Sequence, residues 1–288
     1  QLQKIYGSTL APWSREIKKP VAGSVLVAVA GGGGTQLTTD SDYWPSYSAD
    51  GATLYAGVNG QNTVVAIDPA AGTITHTWDV GIAPRQLKLV GTKLYVSDEG
   101  GRRANPGEPT IESYGTQVPS DLVRGTSTTG VLSVIDTANA SAPVGQINVG
   151  LHPTAMFTKN DVLYVANTND DTVSVVDTAI DEVVQTITTQ PWQGSKVGYE
   201  PDAVTVHKGR LLVSLGRANA IAVYKLGASA LDPVSYVGLV PTDYYPEDIF
   251  PVGDQLVVSN RRGIDARGVE ASAHAAAANT ITAMCGVR

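Results

Sequence analysis

The amino-acid sequence predicts an all-β fold, and three observations lead to that prediction. Its 30 glycines and 16 prolines interrupt the chain at close intervals. The segments between them are short alternating runs rich in Val, Ile, Thr and Tyr, which are typical of strands. Helical periodicity is not sustained over any long segment, and the nearest candidate is the Ala-rich stretch 271–278.

The strands belong to a repeat that begins with a residue–proline pair. The five pairs are Trp44-Pro45, Ala83-Pro84, His152-Pro153, Glu200-Pro201 and Tyr245-Pro246. Nine or ten residues after each proline an apolar strand begins, at Leu54, Leu94, Leu163, Leu211 and Leu256 respectively. In three repeats a third strand ends 14 residues after that leucine, at Asp68, Asp177 and Lys225. A fourth strand, such as 73–78 or 183–188, completes the unit.

Four short strands recurring every 40 to 48 residues predict the blades of a β-propeller. One four-stranded meander cannot bury both of its faces, whereas blades packed around an axis bury one another. We therefore expect residues 1–288 to form a single β-propeller domain. A weaker repeat beginning at Ala11-Pro12 raises the count from five blades to six. Residues 2–6 would then supply the outer strand that the last repeat lacks.

The second repeat carries an insertion of 28 residues, 101–128, between its second and third strands. It is polar, contains three prolines and lacks strand periodicity, so it predicts a long loop over one face of the disc. Loops of this length are usually either functional or disordered. Its apolar residues favour an ordered lid or docking element, with disorder as the alternative. These residues are Ile111, Tyr114, Val118, Leu122 and Val123.

The repeat also carries a family resemblance. The segment LYVANTNDDTVSVVDTAIDEVVQTI, residues 163–187, resembles the YVTN repeat. Residues 84–268 resemble YncE-like propellers, in particular the propeller half of bacterial proteins fused to an alkaline-phosphatase-like phosphoesterase. The stretches 97–110, 150–156, 238–249 and 259–268 make the comparison specific. The resemblance implies seven blades where six are counted. The metal ligands and nucleophile of the phosphoesterase half have no counterpart in this sequence.

Composition excludes several classes of function. The formal net charge is −7, so no basic field is present to hold nucleic acid or an anionic membrane. A single cysteine, Cys285, excludes sites built from several thiolates. The longest apolar stretch, 25–30, is far too short to span a membrane. Because the chain starts at Gln1 rather than Met, we expect a processed, secreted protein, either extracellular or periplasmic.

The sequence contains no recognisable catalytic constellation. Its four histidines are 55 or more residues apart, which excludes HxH and HExxH metal motifs. No nucleophile elbow or phosphate-binding loop is present. Arg102-Arg103 and Arg261-Arg262 follow second strands and are interpreted as surface charges, with phosphate or carboxylate binding as the alternative.

The residues beside the inner-strand prolines are the candidate ligand-binding residues, because in a propeller they converge at one end of the channel. They are Trp44, Arg85, His152, Glu200, Asp202, Tyr245, Glu247 and Asp248. Their net negative character suits a cation or an amine-bearing ligand. A divalent cation such as calcium is the cofactor that this ring suggests, although it needs six or more converging oxygens. The alternative is an ordinary water-filled channel mouth.

These observations favour a secreted binding or scaffold module for a protein partner or a small polar ligand. The rival class is an enzyme: a metal-dependent propeller hydrolase, or the propeller portion of a phosphoesterase whose catalytic half lies outside this chain. Single-stranded nucleic acid binding is a third class, which the net charge opposes. The sequence does not indicate the oligomeric state.

Overall fold

The computed structural model describes residues 46–113, 115–192, 198–262 and 280–285. Within these ranges strands and turns dominate, and the helical segments are two short 3-10 turns, Asn59–Gln61 and Gly216–Ala218. No helix in the described part of the chain is long and apolar enough to span a bilayer. The all-β prediction is confirmed. The weak repeat near Ala11 and the proposed closing strand 2–6 lie outside the described residues.

The strands form five antiparallel meander sheets, which we name blades 1 to 5, and one small extra sheet. Blade 1 contains β1 (Ser46–Tyr47), β2 (Leu54–Val58), β3 (Thr63–Asp68) and β4 (Thr73–Asp79). Blade 2 contains β5 (Ile82–Val90), β6 (Lys93–Gly101), β10 (Val131–Asp136) and β11 (Gly145–Asn148). The small sheet contains β7 (Thr110–Ser113), β8 (Thr116–Asp121) and β9 (Thr126–Ser127).

The remaining blades follow the same order. Blade 3 contains β12 (Pro153–Lys159), β13 (Val162–Asn167), β14 (Thr172–Asp177) and β15 (Glu182–Thr188). Blade 4 contains β16 (Pro201–His207), β17 (Arg210–Leu215), β18 (Ala220–Lys225) and β19 (Ser235–Pro241). Blade 5 has three described strands: β20 (Tyr244–Val252), β21 (Gln255–Arg262) and β22 (Thr280–Cys285).

Successive blades contact one another through their first, innermost strands, which is the arrangement of a propeller. β1 contacts β5, β5 contacts β12, β12 contacts β16, and β16 contacts β20. The predicted second strands take equivalent places, because β2, β6, β13, β17 and β21 each pair with the innermost strand of their blade. The repeat read from the prolines therefore matches the blades.

The core lies between the faces of neighbouring blades. Leu132 of blade 2 packs in one cluster with Met156 and Leu163 of blade 3. Leu212 of blade 4 packs similarly with Val258 of blade 5. Burying a side chain of this size contributes about 1.5–3 kcal/mol relative to leaving it exposed. The alternation of apolar residues along each strand thus supplies two faces that only adjacent blades can cover.

The residue before each inner-strand proline has a left-handed backbone. Ala83, His152, Glu200 and Tyr245 have φ values between 52° and 58°. Such a backbone is uncommon for residues other than glycine and requires support from its surroundings. At three of the four positions, an Asn or Asp side chain from the preceding blade accepts a hydrogen bond from the amide. The pairs are Asn62 with Ala83 at 2.9 Å, Asp171 with Glu200 at 3.0 Å, and Asn219 with Tyr245 at 2.9 Å.

The insertion is more ordered than its sequence indicates. The prediction that it lacks strands is wrong, because β7 pairs with β8, and β8 pairs with β9. Val118 is buried against Ile82 and Ala83 of blade 2. The prediction that Leu122 and Val123 are buried is also wrong, since they are 64% and 95% exposed. Tyr114 lies outside the described residues.

Arg102 and Arg103, which were interpreted as surface charges with carboxylate binding as the alternative, hold the start of the insertion in place. Arg102 donates two hydrogen bonds of 2.8 Å to the two carboxylate oxygens of Glu108. Arg103 donates to the backbone carbonyls of Val80 and Asn62, at 3.1 and 2.9 Å. Paired donors of this kind hold a loop in one geometry. The start of the insertion is therefore tied to blade 1.

Candidate functional site

A polar cavity of about 280 Å³ opens where the innermost strands of blades 2 to 5 begin. Six of the eight sequence-predicted residues line it: Arg85, His152, Glu200, Asp202, Tyr245 and Glu247. The other lining residues are Glu99, Thr168, Asn169 and Arg261. The structure therefore brings most of the predicted ring together. Four lining residues are carboxylates and two are arginines, so the lining has a formal charge of −2 before any charge on His152 is counted.

One side of the cavity is a charged triad from blades 2 and 3. A single oxygen of Glu99, Oε1, accepts a hydrogen bond from Arg85 Nη1 at 2.8 Å and another from His152 Nε2 at 2.7 Å. Burial acts to raise the pKa of Glu99. The hydrogen bond from His152 and the charges of Arg85 and His152 outweigh burial and lower that pKa to about 2. Glu99 therefore stays ionised at any ordinary pH and orients both neighbours.

The opposite side belongs to blades 4 and 5 and centres on Tyr245. The Tyr245 hydroxyl donates to Glu200 Oε2 at 3.0 Å, and Glu200 Oε1 pairs with Arg217 at 2.7 Å. Burial raises the pKa of Tyr245 well above its usual value, and the nearby charges of Asp202 and Glu200 raise it further. The phenol therefore remains protonated and serves as a neutral hydrogen-bonding group between two carboxylates.

Glu247 and Arg261 form the third part of the lining. Arg261 Nε lies 2.5 Å from Glu247 Oε1, and its guanidinium covers the Tyr245 ring at 5.0 Å from the centroid. Cation–π stacking of this kind holds both groups in place. The ring face under Arg261 is therefore covered.

A glycine makes room for Tyr245. A Cβ atom on Gly216 would lie 2.7 Å from a Tyr245 ring carbon and 2.9 Å from Asp202 Oδ2. Any larger residue at this position would displace the tyrosine or the carboxylate. The backbone of blade 4 thus sets the depth of the cavity on this side.

Two predicted ring residues do not line the cavity. Trp44 lies outside the described residues. Asp248 follows Glu247 in β20 but is not among the residues that line the cavity. Its Oδ1 accepts a hydrogen bond from the amide of Ile249 at 2.7 Å. Asp248 is therefore removed from the candidate site.

The sequence reasoning missed Glu99 and Thr168 at the ends of the second strands, and it interpreted Arg261, at the same position, as a surface charge with carboxylate binding as the alternative. Glu99, Thr168 and Arg261 each lie five residues after the leucine that marks the second strand, and Gly216 occupies the same position in blade 4. The same repeat spacing that identified the proline positions would have identified these. Asn169, which adjoins Thr168, has no separate signal in the sequence.

Comparisons with known proteins concern the fold. No protein-family model matches the chain, and no curated protein matches it significantly. Among solved structures, hydrazine synthase from Kuenenia stuttgartiensis has a TM-score of 0.58 at 18% identity, covering 88% of this chain and 66% of that one. BamB from Moraxella catarrhalis has a TM-score of 0.50 at 13% identity, with coverages of 76% and 54%.

A functionally unknown protein from Desulfotomaculum acetoxidans has a TM-score of 0.52 at 10% identity, covering 75% of this chain and 62% of that one. The chain thus spans less than two-thirds of the length of each of these proteins. At such low identities the similarity concerns the fold alone. Together with the meander sheets and contacting innermost strands, it shows that this protein is a β-propeller.

Proposed function

We propose that this protein is a binding module whose channel-mouth cavity holds the ammonium group of a polar ligand. The observation that carries the proposal is the charge of the lining. Its four carboxylates outnumber its two arginines, and since Arg85 pairs with Glu99 and Arg261 with Glu247, the excess of negative charge lies on the side of Glu200 and Asp202. The one further cation on Glu200 is Arg217, whose side chain is half exposed outside the lining.

An ammonium group suits this side of the cavity chemically. It carries three donors, and two carboxylates beside a phenol oxygen offer acceptors for them. Hydrogen bonds between charged partners are stronger than neutral ones, and partial burial strengthens them further. Because the lining is almost entirely polar, the remainder of the ligand that enters the cavity is expected to be small or flexible rather than a bulky apolar group.

We favour an amine over a divalent cation as the ligand. Calcium requires six or more converging oxygens. Here several carboxylate oxygens are already occupied by Arg, His or Tyr donors. Among the described residues no group of three or more His, Cys, Asp or Glu side chains is placed to hold a metal.

Calorimetry with n-butylammonium tests the proposal, with calcium and neutral n-butanol as comparison ligands. We expect binding of n-butylammonium only, and a loss of about tenfold or more in the Glu200→Gln, Asp202→Asn double variant. Glu182→Gln on the exposed outer strand of blade 3 is the matched control and should bind as the wild type does. Equal affinity in the wild type and the double variant would show that Glu200 and Asp202 do not bind the ammonium group.

We also infer that the chain is a YVTN-repeat, YncE-like propeller that acts outside the cytoplasm. The resemblance of residues 163–187 to the YVTN repeat supports the family assignment. We expect this chain to hydrolyse no phosphoester, because the metal ligands and nucleophile of the phosphoesterase half have no counterpart in its sequence. Turnover of an aryl phosphodiester that survives repurification and is lost on chelation would instead place it among the enzymes.

A further inference from the structure

An exposed rim adjoins the cavity on the surface of blade 4 and its two neighbours. We name it the aromatic rim, and it consists of Trp192, Arg217 and Tyr244. Trp192 is 58% exposed and Tyr244 is 53% exposed. The Arg217 side chain is 51% exposed. Exposed Trp, Tyr and Arg side chains are the residue types most enriched at the energetic centres of protein interfaces.

The aromatic rim is continuous with the cavity. The Trp192 ring lies 5.9 Å from the ring of Tyr199, the residue before Glu200. Arg217 donates its amide to the Tyr199 carbonyl at 3.1 Å and its guanidinium to Glu200 at 2.7 Å. Tyr244 immediately precedes Tyr245. A ligand anchored at Glu200 can therefore extend over Trp192, and Tyr244 occupies in blade 5 the repeat position that Tyr199, the ring neighbour of Trp192, has in blade 4.

Core packing does not explain the exposure of Tyr244. It occupies the same repeat position as Ile82 and Tyr199, two residues before the inner-strand proline. Ile82 is 1% exposed and packs with Val118 of the insertion, and Tyr199 is 8% exposed and packs in the cluster between blades 3 and 4. A large aromatic side chain left half in water at this position makes apolar surface available beside a charged cavity.

We propose that the ligand of the cavity is a lysine side chain in an extended segment of a partner protein. The lysine ammonium enters beside Glu200, Asp202 and Tyr245, and apolar residues flanking the lysine pack on Trp192 and Tyr244. This inference rests on the proposed function, since it requires an ammonium site. It goes further by assigning a polypeptide rather than a free amine as the ligand.

The chemistry of the two surfaces favours this partner over the alternatives. Lysine presents a compact charge on a flexible four-carbon stem, whereas arginine needs a planar fork of acceptors. Arg217 and the Tyr245 hydroxyl already occupy one position on each oxygen of Glu200, so a point donor fits better than a fork. Four carboxylates in the cavity and a net charge of −7 repel a nucleic acid backbone.

Calorimetry with three probes tests the proposal on the full chain. The probes are the peptide acetyl-Ala-Leu-Lys-Leu-Ala-amide, the same peptide with norleucine in place of lysine, and n-butylammonium. We expect the lysine peptide to bind about tenfold or more tighter than n-butylammonium, and the norleucine peptide not to bind. In the rim variant Trp192→Ala, Tyr244→Ala, the affinity for the lysine peptide should fall to that for n-butylammonium. The affinity for n-butylammonium itself should not change.

Leu231→Ala, which truncates another exposed apolar side chain of blade 4, is the matched control and should change neither affinity. Tyr244→Ser alone provides a second, milder rim variant, and circular dichroism establishes that each variant is folded. An unchanged peptide affinity in the rim variants would overturn the lysine-segment proposal while the ammonium site stands. Equal binding of the norleucine peptide, or tighter salt-dependent binding of a single-stranded oligonucleotide, would also overturn it. Failure of n-butylammonium to bind would overturn the proposed function as well.

Discussion

The junctions between blades at the channel mouth are of two kinds. Between blades 4 and 5, Asn219 Oδ1 fixes the amide of Tyr245, and between blades 3 and 4 Asp171 Oδ1 fixes that of Glu200. Between blades 2 and 3 the equivalent position is Gly130, which has no side chain. Among the described residues, no side chain of blade 2 accepts a hydrogen bond from the His152 amide. His152 is held instead through its imidazole, by Glu99.

This difference shows how the propeller accommodates the insertion. The insertion enters blade 2 between β6 and β10, where the other blades have a short turn carrying the capping Asn or Asp. At the end of the insertion, the backbone of Gly130 packs directly against the backbone of Gly150, which precedes blade 3. The mouth consequently has one half fixed by backbone caps and another half fixed by the Arg85–Glu99–His152 triad.

We expect the largest effect from a substitution at the uncapped junction itself. A Cβ atom on Gly130 would overlap the carbonyl oxygen of Gly150, so Gly130→Ala must displace backbone. The free energy of unfolding should fall by about 3 kcal/mol or more. Gly60→Ala is the control, because a Cβ there meets nothing within 4 Å. Urea denaturation of both variants measures the difference, and similar midpoints would contradict the close approach.

Removal of the insertion should have a smaller effect. Replacing residues 101–128 with a short Gly-containing turn exposes the surface under Val118 and removes the hydrogen bonds of Arg103. We expect a loss of about 2 kcal/mol with the blades intact, since loop closure depends weakly on length. Calorimetric unfolding tests this. A broad, non-cooperative transition would show that the insertion belongs to the core of the fold.

Loss of a single cap should cost less again. Asn219 has a left-handed backbone, which glycine also adopts without strain, so Asn219→Gly removes only the side chain that accepts the Tyr245 amide. We expect a loss of about 1–2 kcal/mol in unfolding free energy. Asn219→Asp retains an acceptor oxygen and should lose much less. If both variants denature like the wild type, the caps do not stabilise the junctions.

The smallest effect concerns two equivalent buried residues, Asp98 of blade 2 and Asn167 of blade 3. Asp98 accepts a hydrogen bond from Ser133, whereas Asn167 donates one to Ser174. Burial raises the pKa of Asp98 to about 8, against the opposing effect of Ser133. The folded state therefore retains a proton that the unfolded chain releases, and the stability contributed by Asp98 falls as pH rises from about 4 to 8.

Asp98→Asn copies the blade 3 arrangement and should remove this pH dependence. We expect a gain of about 1 kcal/mol or more in unfolding free energy at pH 8 and little change at pH 4. The reverse variant, Asn167→Asp, should lose stability at pH 8 and serves as the matched comparison. Thermal unfolding between pH 4 and pH 9 measures both. The raised pKa would be contradicted if the stability of the wild type rose over this range and the Asp98→Asn variant showed the same dependence on pH.

The repeat spacing was enough to predict the blades and most of the cavity lining. Inner-strand prolines mark where the chain turns towards the axis, so Arg85, His152, Glu200 and Tyr245 could be placed at the mouth from sequence. Glu99 was missed, and Arg261 was interpreted as a surface charge, because only the proline end of the repeat was followed. Their constant distance from the second-strand leucines carries the same information.

Other features depend on contacts between distant residues and could not be predicted. The pairing of Arg102 with Glu108 gives order to an insertion that lacks strand periodicity. Exposure of Leu122 and Val123 follows from their place in the turn between β8 and β9, where Asp121 Oδ1 accepts the Val123 amide. Asp248 is absent from the cavity lining, and the register of β20 is irregular between Pro246 and Asp248, which the sequence does not reveal.

A crystal structure of the protein soaked with n-butylammonium is the most direct test of the ammonium site. We expect the nitrogen to lie within hydrogen-bond distance of Glu200 or Asp202, with the bonds of Glu99 to Arg85 and His152 unchanged. An amine located outside the cavity, or one that binds by displacing Arg85 from Glu99, would contradict the assignment of the blade 4 and 5 side as the ligand-binding half.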